Sequence, residues 1–599
     1  MRLEELELSA PKATALPELA PDRFRLSKRW SSILLFLVAI LPIAVLVRLI
    51  GEYGVNVPYG DEWSLIPMFV KWNNHQLTFA DLFRLHNEHR IFFPKLIYLA
   101  FVQVTHWNVR AEMFFSVLLC CVTSAGIYIL LRRTVAGARK HLLLWALINL
   151  LIFAPVQAEN WVWGFQLQIF IPTVCLVASL VTLGSRLRPG GKLAIASLLA
   201  TIATFSFGGG ILLWPAIALC LALQQENRRW LIPWGVTFLF IGTLFFIGYD
   251  HKSVFDPQIG DPLDYLAYFA GFNGVPLGRI PLQQRLILAG IIGVSAVLLY
   301  LATCIVFVKS GGQPLRAGAP WLALGLYAIS STALAAYTRV SSPWGTEQSL
   351  ASRYASISCN LYIALIGIVA IASHHSSQLK WLSKSRAVAL IETPFLTAIL
   401  VLSGVNFLAG VDHMELLSRV ELKGLADLQF AKVIPPPDRL RGELMIPDFS
   451  RIVRDIDLLD RLELVHPSLR HSAILRDAED RPKRATVEFG RSEQMIQKGP
   501  DTFEISGWCF LPPIQQPAPR VVLAYRAEEN WIAFALSDIS ESRPNLAKEM
   551  KSRKYLSSGW RKLISTADLP RGVTISAWAL DAVAGDVYKL PGDFLLPAQ

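Results

Sequence analysis

Charge is what this chain has least of. Only 17% of its 599 residues are Asp, Glu, Lys or Arg, against 53% hydrophobic residues and a mean hydropathy of +0.41. Soluble globular chains carry about 25% charge, so that class is excluded and a polytopic membrane protein is implied. Cysteine is scarce as well. Of the seven, Cys120, Cys121, Cys175, Cys220 and Cys304 lie within apolar runs, Cys359 lies near one, and Cys509 stands alone in the tail. That scatter excludes a disulfide framework and a cysteine-ligated zinc site. No Gly-rich loop ending in Lys-Ser/Thr occurs, which argues against a nucleotide-phosphate cradle of that kind. Ionisable residues are almost missing from the middles of the apolar runs, whereas a transporter or flippase places them near mid-bilayer.

What is present is hydrophobic length. Windows of about 20 apolar residues recur about eleven times, from Ser31–Ile50 to Ala387–Ala409, and Gly208–Gly210 is expected to break one region into two short helices. The first run is too long for a secretory h-region and lacks a small-residue cleavage motif, so it reads as a retained span. The net charge of +11 follows topology rather than a nucleic-acid partner. Lys and Arg cluster before the first span and at Arg132–Lys140, Arg186–Lys192, Arg228–Arg229, Lys309–Arg316 and Lys380–Arg386, in every second connection. The positive-inside rule then puts residues 1–30 in the cytoplasm. The first loop (51–111), the loops Tyr249–Gln284 and Arg339–Arg353, and everything after about Gly410 fall outside it.

Past Gly410 the composition changes. Val411–Phe430 and Phe449–Leu464 read as helices within a helical linker region, 411–484. From 485 to 599 a period-two pattern predicts an antiparallel β-sandwich, with strands at Thr486–Phe489, Thr502–Trp508, Arg520–Tyr525, Trp531–Leu536, Val573–Leu580 and Asp586–Leu590. Trp508, Trp531, Trp560 and Trp578 are either core residues or sugar-stacking platforms of a carbohydrate-binding module.

The polar groups gather outside. The first loop carries Gly-Asp-Glu-Trp at Gly60–Trp63 and His-Asn-Glu-His-Arg at His86–Arg90. Asp61, with Glu62 beside it and Arg90 or Lys95 tuning it, suits a base that deprotonates a hydroxyl; Asp61 as the cap of a helix starting at Trp63 is the competing reading. His86, Glu88, His89 and Arg90 fit about one helical turn, where they would bind a substrate phosphate, hold a divalent ion, or form a hydrogen-bonded interfacial cluster. Arg339 and Ser352-Arg353-Tyr354 flank another outer loop. They read as contacts to a lipid phosphate or as interfacial snorkelling residues. Gln157, Glu159, Asn160, Trp161 and Trp163 complete a rim for sugar contact or an aromatic belt.

An opening span, a long outer loop with an acidic pair just after it, many further spans and an Arg-Tyr pair near a late one resemble the GT-C superfamily of glycosyltransferases that use lipid-linked sugars. The resemblance covers about Ser31–Ala409 and rests on topology and short motifs. It implies a GT-C-like catalytic region over 31–410, Asp61 with Glu62 as the acidic base, and Arg353 and Tyr354 as contacts to the polyprenyl phosphate, with Arg339 and Arg90 as further phosphate ligands. It also implies inverting transfer from a polyprenyl-phosphate sugar to a cell-envelope glycan or lipid, without a cofactor. The setting implied is a bacterial inner membrane, with membrane lipids around it and the tail in the periplasm. His-Asn-Glu-His-Arg has no counterpart in the family. A polysaccharide polymerase or ligase using a lipid-pyrophosphate donor is an alternative.

Overall fold

The computed structural model describes residues 28–249, 261–279, 284–375, 385–476, 489–511, 516–567 and 569–597. The expected strand over 486–488, Asp250, His251 and Asp256, and the N-terminal tail before Lys28 lie outside these. Each long apolar run forms a helix, the arrangement in which a hydrophobic segment satisfies its own backbone N–H and C=O groups. Among the described residues, nine helices are long and apolar enough to cross a membrane, from Trp30–Tyr53 to Glu392–Gln429. The glycine triplet breaks the chain as expected: Pro189–Thr204 and Leu213–Leu223 are separate helices joined through a 3-10 turn at Gly208–Leu212.

Two expectations are corrected here. The stretch Tyr249–Gln284, read as a loop, contains the helix Pro262–Gly278, capped by the Asp261 carboxylate and buried along Ala270–Gly278. Its small residues press its backbone against Ala289 and Gly293 of the helix Arg285–Ser310, a packing mode that needs no long hydrophobic run. The boundary near Gly410 is also absent from the backbone, because one helix runs unbroken over Ser385–Gln429. Gly410 marks a contact: a Cβ there would lie 2.3 Å from the Pro155 carbonyl carbon.

After the short amphipathic helix Ile452–Arg461, the tail forms an antiparallel sheet. Its main path runs 594–595, 574–581, 520–527, 530–541, 559–565, 502–511, 490–499. Pairing continues across the junction at Ile539 and Trp560, so the expected sandwich is one curled sheet closed over its own core. The strand Gly490–Gly499 escaped the sequence pattern because it is a polar, mostly exposed edge. Trp508, Trp560 and Trp578 are buried, which removes them as sugar platforms; Trp531 is half-buried beneath the Lys589 ammonium, 4.3 Å from its ring.

The sheet is fastened to the end of the long helix. Arg520, fully buried, donates from Nε and Nη2 to the two Asp427 oxygens at 3.0 Å each, and from Nη1 to Asp538 at 2.7 Å. Arg439 grips the same Asp427 carboxylate at 2.9 and 3.0 Å. The linker reaches the first loop through Gly60 N, which donates to the Leu444 carbonyl at 2.9 Å.

Candidate functional site

The first loop turns sharply after its extended segment and runs through a 3-10 turn, Gly60–Leu65, into the helix Ile66–Asn73. Gly60 has φ +56°, and a Cβ there would meet the Trp163 ring at 2.6 Å, so only glycine suits the corner. Glu62 then folds back. Its Oε2 accepts from Tyr59 N at 2.8 Å and its Oε1 from Phe165 N at 2.7 Å. Glu62 therefore satisfies the turn's first N–H and stitches the loop to Phe165. The capping reading of Asp61 is corrected, and so is the catalytic reading of Glu62, which is wholly buried. Burial pushes the Glu62 carboxyl up to about 8, against the pull of its two N–H donors and with the Asp61 charge adding to the rise.

Asp61 points the other way. Its Oδ2 lies 3.7 Å from His86 Nε2, an ion pair when the imidazole is protonated. Ser64 Oγ donates to the Asp61 carbonyl oxygen at 2.6 Å and sits 3.3 Å from His86 Nδ1, holding the ring on its far side. Burial alone would raise the Asp61 pKa. The facing His86, followed by the Arg353 charge, outweighs it and keeps Asp61 below the usual carboxylate range.

The segment around His86 is not helical. His86 N donates to the His89 carbonyl at 2.8 Å and His89 N to the His86 carbonyl at 2.9 Å, forming a two-residue hairpin whose tip, Asn87, has φ +49°. Asn tolerates that left-handed conformation, so the turn wins over the helical turn that the i,i+3 spacing suggested. The hairpin aims His86 at Asp61, while His89 is packed on Phe207, its ring centroid 4.7 Å away. Burial pushes the His89 imidazole down to about 3, so it is neutral at physiological pH.

Arg90 and Lys95 face away from Asp61. Arg90 donates to the carbonyls of Phe83, Phe245 and Ile247, and Lys95 Nζ to those of Asp81, Leu82 and Arg84. Both side chains satisfy the orphan carbonyls where helices end, so the phosphate-ligand reading of Arg90 is corrected. Arg90→Gln is expected to destabilise the protein by roughly 3 kcal/mol, the cost of stranding buried carbonyls bonded to a charged group. A thermal melt in detergent measures it; an unchanged melt with weakened lipid-phosphate binding would restore the ligand role.

The second constellation assembles around Glu159. Its Oε2 accepts from Ser352 Oγ at 2.7 Å and from Arg353 N at 3.1 Å, and Oε1 pairs with the Arg353 guanidinium. Asn160 Nδ2 donates to the Arg353 carbonyl at 3.0 Å. Arg353 is held this way over the Tyr354 ring, and Tyr354 is stacked on Phe272 at 4.5 Å. Glu159 is thus the anchor of Arg353 rather than a sugar contact. Trp161 is fully buried, with its indole N–H donated to the Ala154 carbonyl, which corrects its place in a sugar-binding rim. Arg339 is ion-paired with Glu88, so both halves of that pair have a protein partner where a phosphate or substrate ligand was expected.

Two residues of this region escaped the sequence reading. Arg279 follows the unforeseen helix and comes within 3.5 Å of His413 Nε2, and its buried Nη1 has no partner. Burial lowers its pKa, and Glu159 partly restores it. The only sequence signal was an arginine ending a glycine-rich apolar stretch. Ser64 is the other, legible only once His86 is known to face it. The fold therefore gathers Asp61, His86, Glu159, Arg353 and Arg279 near one another, and sends Glu62, Arg90 and Trp161 into support. The chain matches no family model, no curated protein and no solved structure in the comparisons made.

Proposed function

We propose that the chain is a GT-C-type membrane glycosyltransferase that moves a sugar from a polyprenyl-phosphate donor to an acceptor hydroxyl outside the cytoplasm, by inversion. In this reading the apolar windows span a bacterial inner membrane about eleven times, and the tail lies in the periplasm. The observation that carries the proposal is Asp61: a partly exposed carboxylate, kept ionised by His86, with the Arg353 charge close enough to depress its pKa. A base and a cationic contact for a leaving group are the two requirements of the reaction. The acceptor oxygen attacks the anomeric carbon, the bond from that carbon to the phosphate oxygen breaks, and the polyprenyl phosphate departs with the electron pair. Asp61 takes the acceptor's proton, and a carboxylate of low basicity does so as the new C–O bond makes that proton acidic. Arg353, seated by Glu159, and Arg279, with an unpartnered N–H, supply positive charge where the phosphate's charge develops.

Purified protein in proteoliposomes, given radiolabelled polyprenyl-phosphate sugar and envelope glycan acceptors, is expected to form labelled product with inverted anomeric configuration. Absence of transfer from every monophosphate donor, with transfer from a pyrophosphate donor, would turn the assignment toward a polymerase. The orientation has its own check: a cysteine at Val583, 62% exposed on the tail, is expected to react with a membrane-impermeant thiol reagent in cells whose outer membrane is permeabilised. Reaction only after lysis would overturn the topology.

A further inference from the structure

The helix that leaves Asp61 ends at a second, separate feature. A cavity of about 300 Å³ lies between Ile66–Asn73, the end of the helix Phe92–Thr105 and the linker residues Arg461–Leu464. One wall is Trp72, 44% exposed, its indole N–H fixed by Gln103 Oε1 at 3.2 Å. Asn73, His106, Arg461 and Glu463 form the polar rim, with buried Phe69 beneath.

An exposed tryptophan in a membrane protein is commonly an interfacial anchor. Here Arg461 and Glu463 close over the same space, and a lipid-facing surface does not carry both charges. The rim also limits the ligand. An anion selects donors and excludes Glu463, whereas a cation selects acceptors and excludes Arg461. Two amide side chains, an imidazole, one guanidinium and one carboxylate around a flat apolar face offer donors and acceptors in balance, which matches a neutral, hydroxyl-rich ring with one apolar face. Trp72 lies on the same continuous element as Asp61, at most roughly 18 Å along it by helical rise.

We propose that this cavity binds a neutral sugar residue of the acceptor glycan, several residues from the one that reacts, with Trp72 as the stacking platform. The inference rests on the glycosyltransferase reading for the word acceptor, but not for the binding itself. The test uses the full chain in nanodiscs, without donor, against a panel of neutral tri- to hexasaccharides of varied composition, with inorganic phosphate as the anionic probe. Saturation-transfer NMR is expected to show binding of at least one saccharide and none of phosphate. Trp72→Ala, a change at an exposed side chain, is expected to weaken saccharide binding about tenfold, and Glu463→Gln to weaken it less. No saccharide binding by the wild-type chain, binding of phosphate at this cavity, or binding unchanged in Trp72→Ala would each overturn the inference. Saccharide binding that depends on Trp72, in a protein that transfers no sugar, would leave the inference standing and remove the transferase reading.

Discussion

Asp61→Asn is expected to lower kcat by roughly 10²- to 10⁴-fold, the usual contribution of a positioned general base. Folding and donor binding should be retained. The substitution keeps the shape of the side chain, and the loop's geometry is held elsewhere: by Glu62 on Tyr59 N and Phe165 N, and by Gly60 N on Leu444. The wild-type pH profile should carry the signature of the same carboxylate. His86 and Arg353 hold the Asp61 pKa low, so activity should persist on acidification past the usual carboxylate value of roughly 3.9 before it falls. For stability the sign is the same. A group with a depressed native pKa contributes above its unfolded pKa, and the contribution is lost as pH falls through the native one. Steady-state transfer assays on both proteins, with circular dichroism as the folding control, decide the matter. Near-normal turnover in Asp61→Asn would end the assignment.

Arg520→Met is expected to cost roughly 3–5 kcal/mol of stability, the range for removing one partner of a buried ion pair. Arg520 and Asp427 are both fully buried, and Asp427 would keep only Arg439. The sheet should separate from the end of the long helix before the helical part melts, because no span holds Arg520. Limited proteolysis in detergent should release a tail fragment from the variant under conditions that leave the wild type intact. Since the linker also donates Leu444 O to Gly60 N, transfer activity should fall together with tail docking. An undisturbed tail in Arg520→Met would show that the apolar part of the seam suffices.

The apolar windows were readable because hydrophobic length is a one-dimensional property: all become helices whatever surrounds them. The strands at 502–511, 520–527 and 574–581 were readable for a similar reason, since alternation with period two survives at one buried face. Pro262–Gly278 was not. It is short, carries Pro276, and owes its place to small residues that fit against Ala289 and Gly293, a match between two distant segments. His86–Arg90 failed differently, as the i,i+3 spacing of its histidines is common to a helical turn and a hairpin, and the left-handed backbone at Asn87 chose between them.

The roles of the polar residues divide along the same line. Sequence alone determined that charge and imidazole collect in the first loop and in connections after later spans, because a run of apolar residues cannot carry them without large desolvation cost. It determined which arginines were candidates for an anion, but not which of them the protein keeps for itself. Tertiary structure decided that. Arg90 meets three carbonyls left open at helix ends, Arg339 meets Glu88, and Arg353 meets Glu159 while remaining near Asp61. Of two adjacent carboxylates, the one whose oxygens reached backbone N–H groups became structural, and the one turned toward His86 was left to react. A buried donor or acceptor must find a partner somewhere in the fold, and the partners of Glu62, Arg90 and Arg353 lie in segments that no local reading of the chain could bring to them.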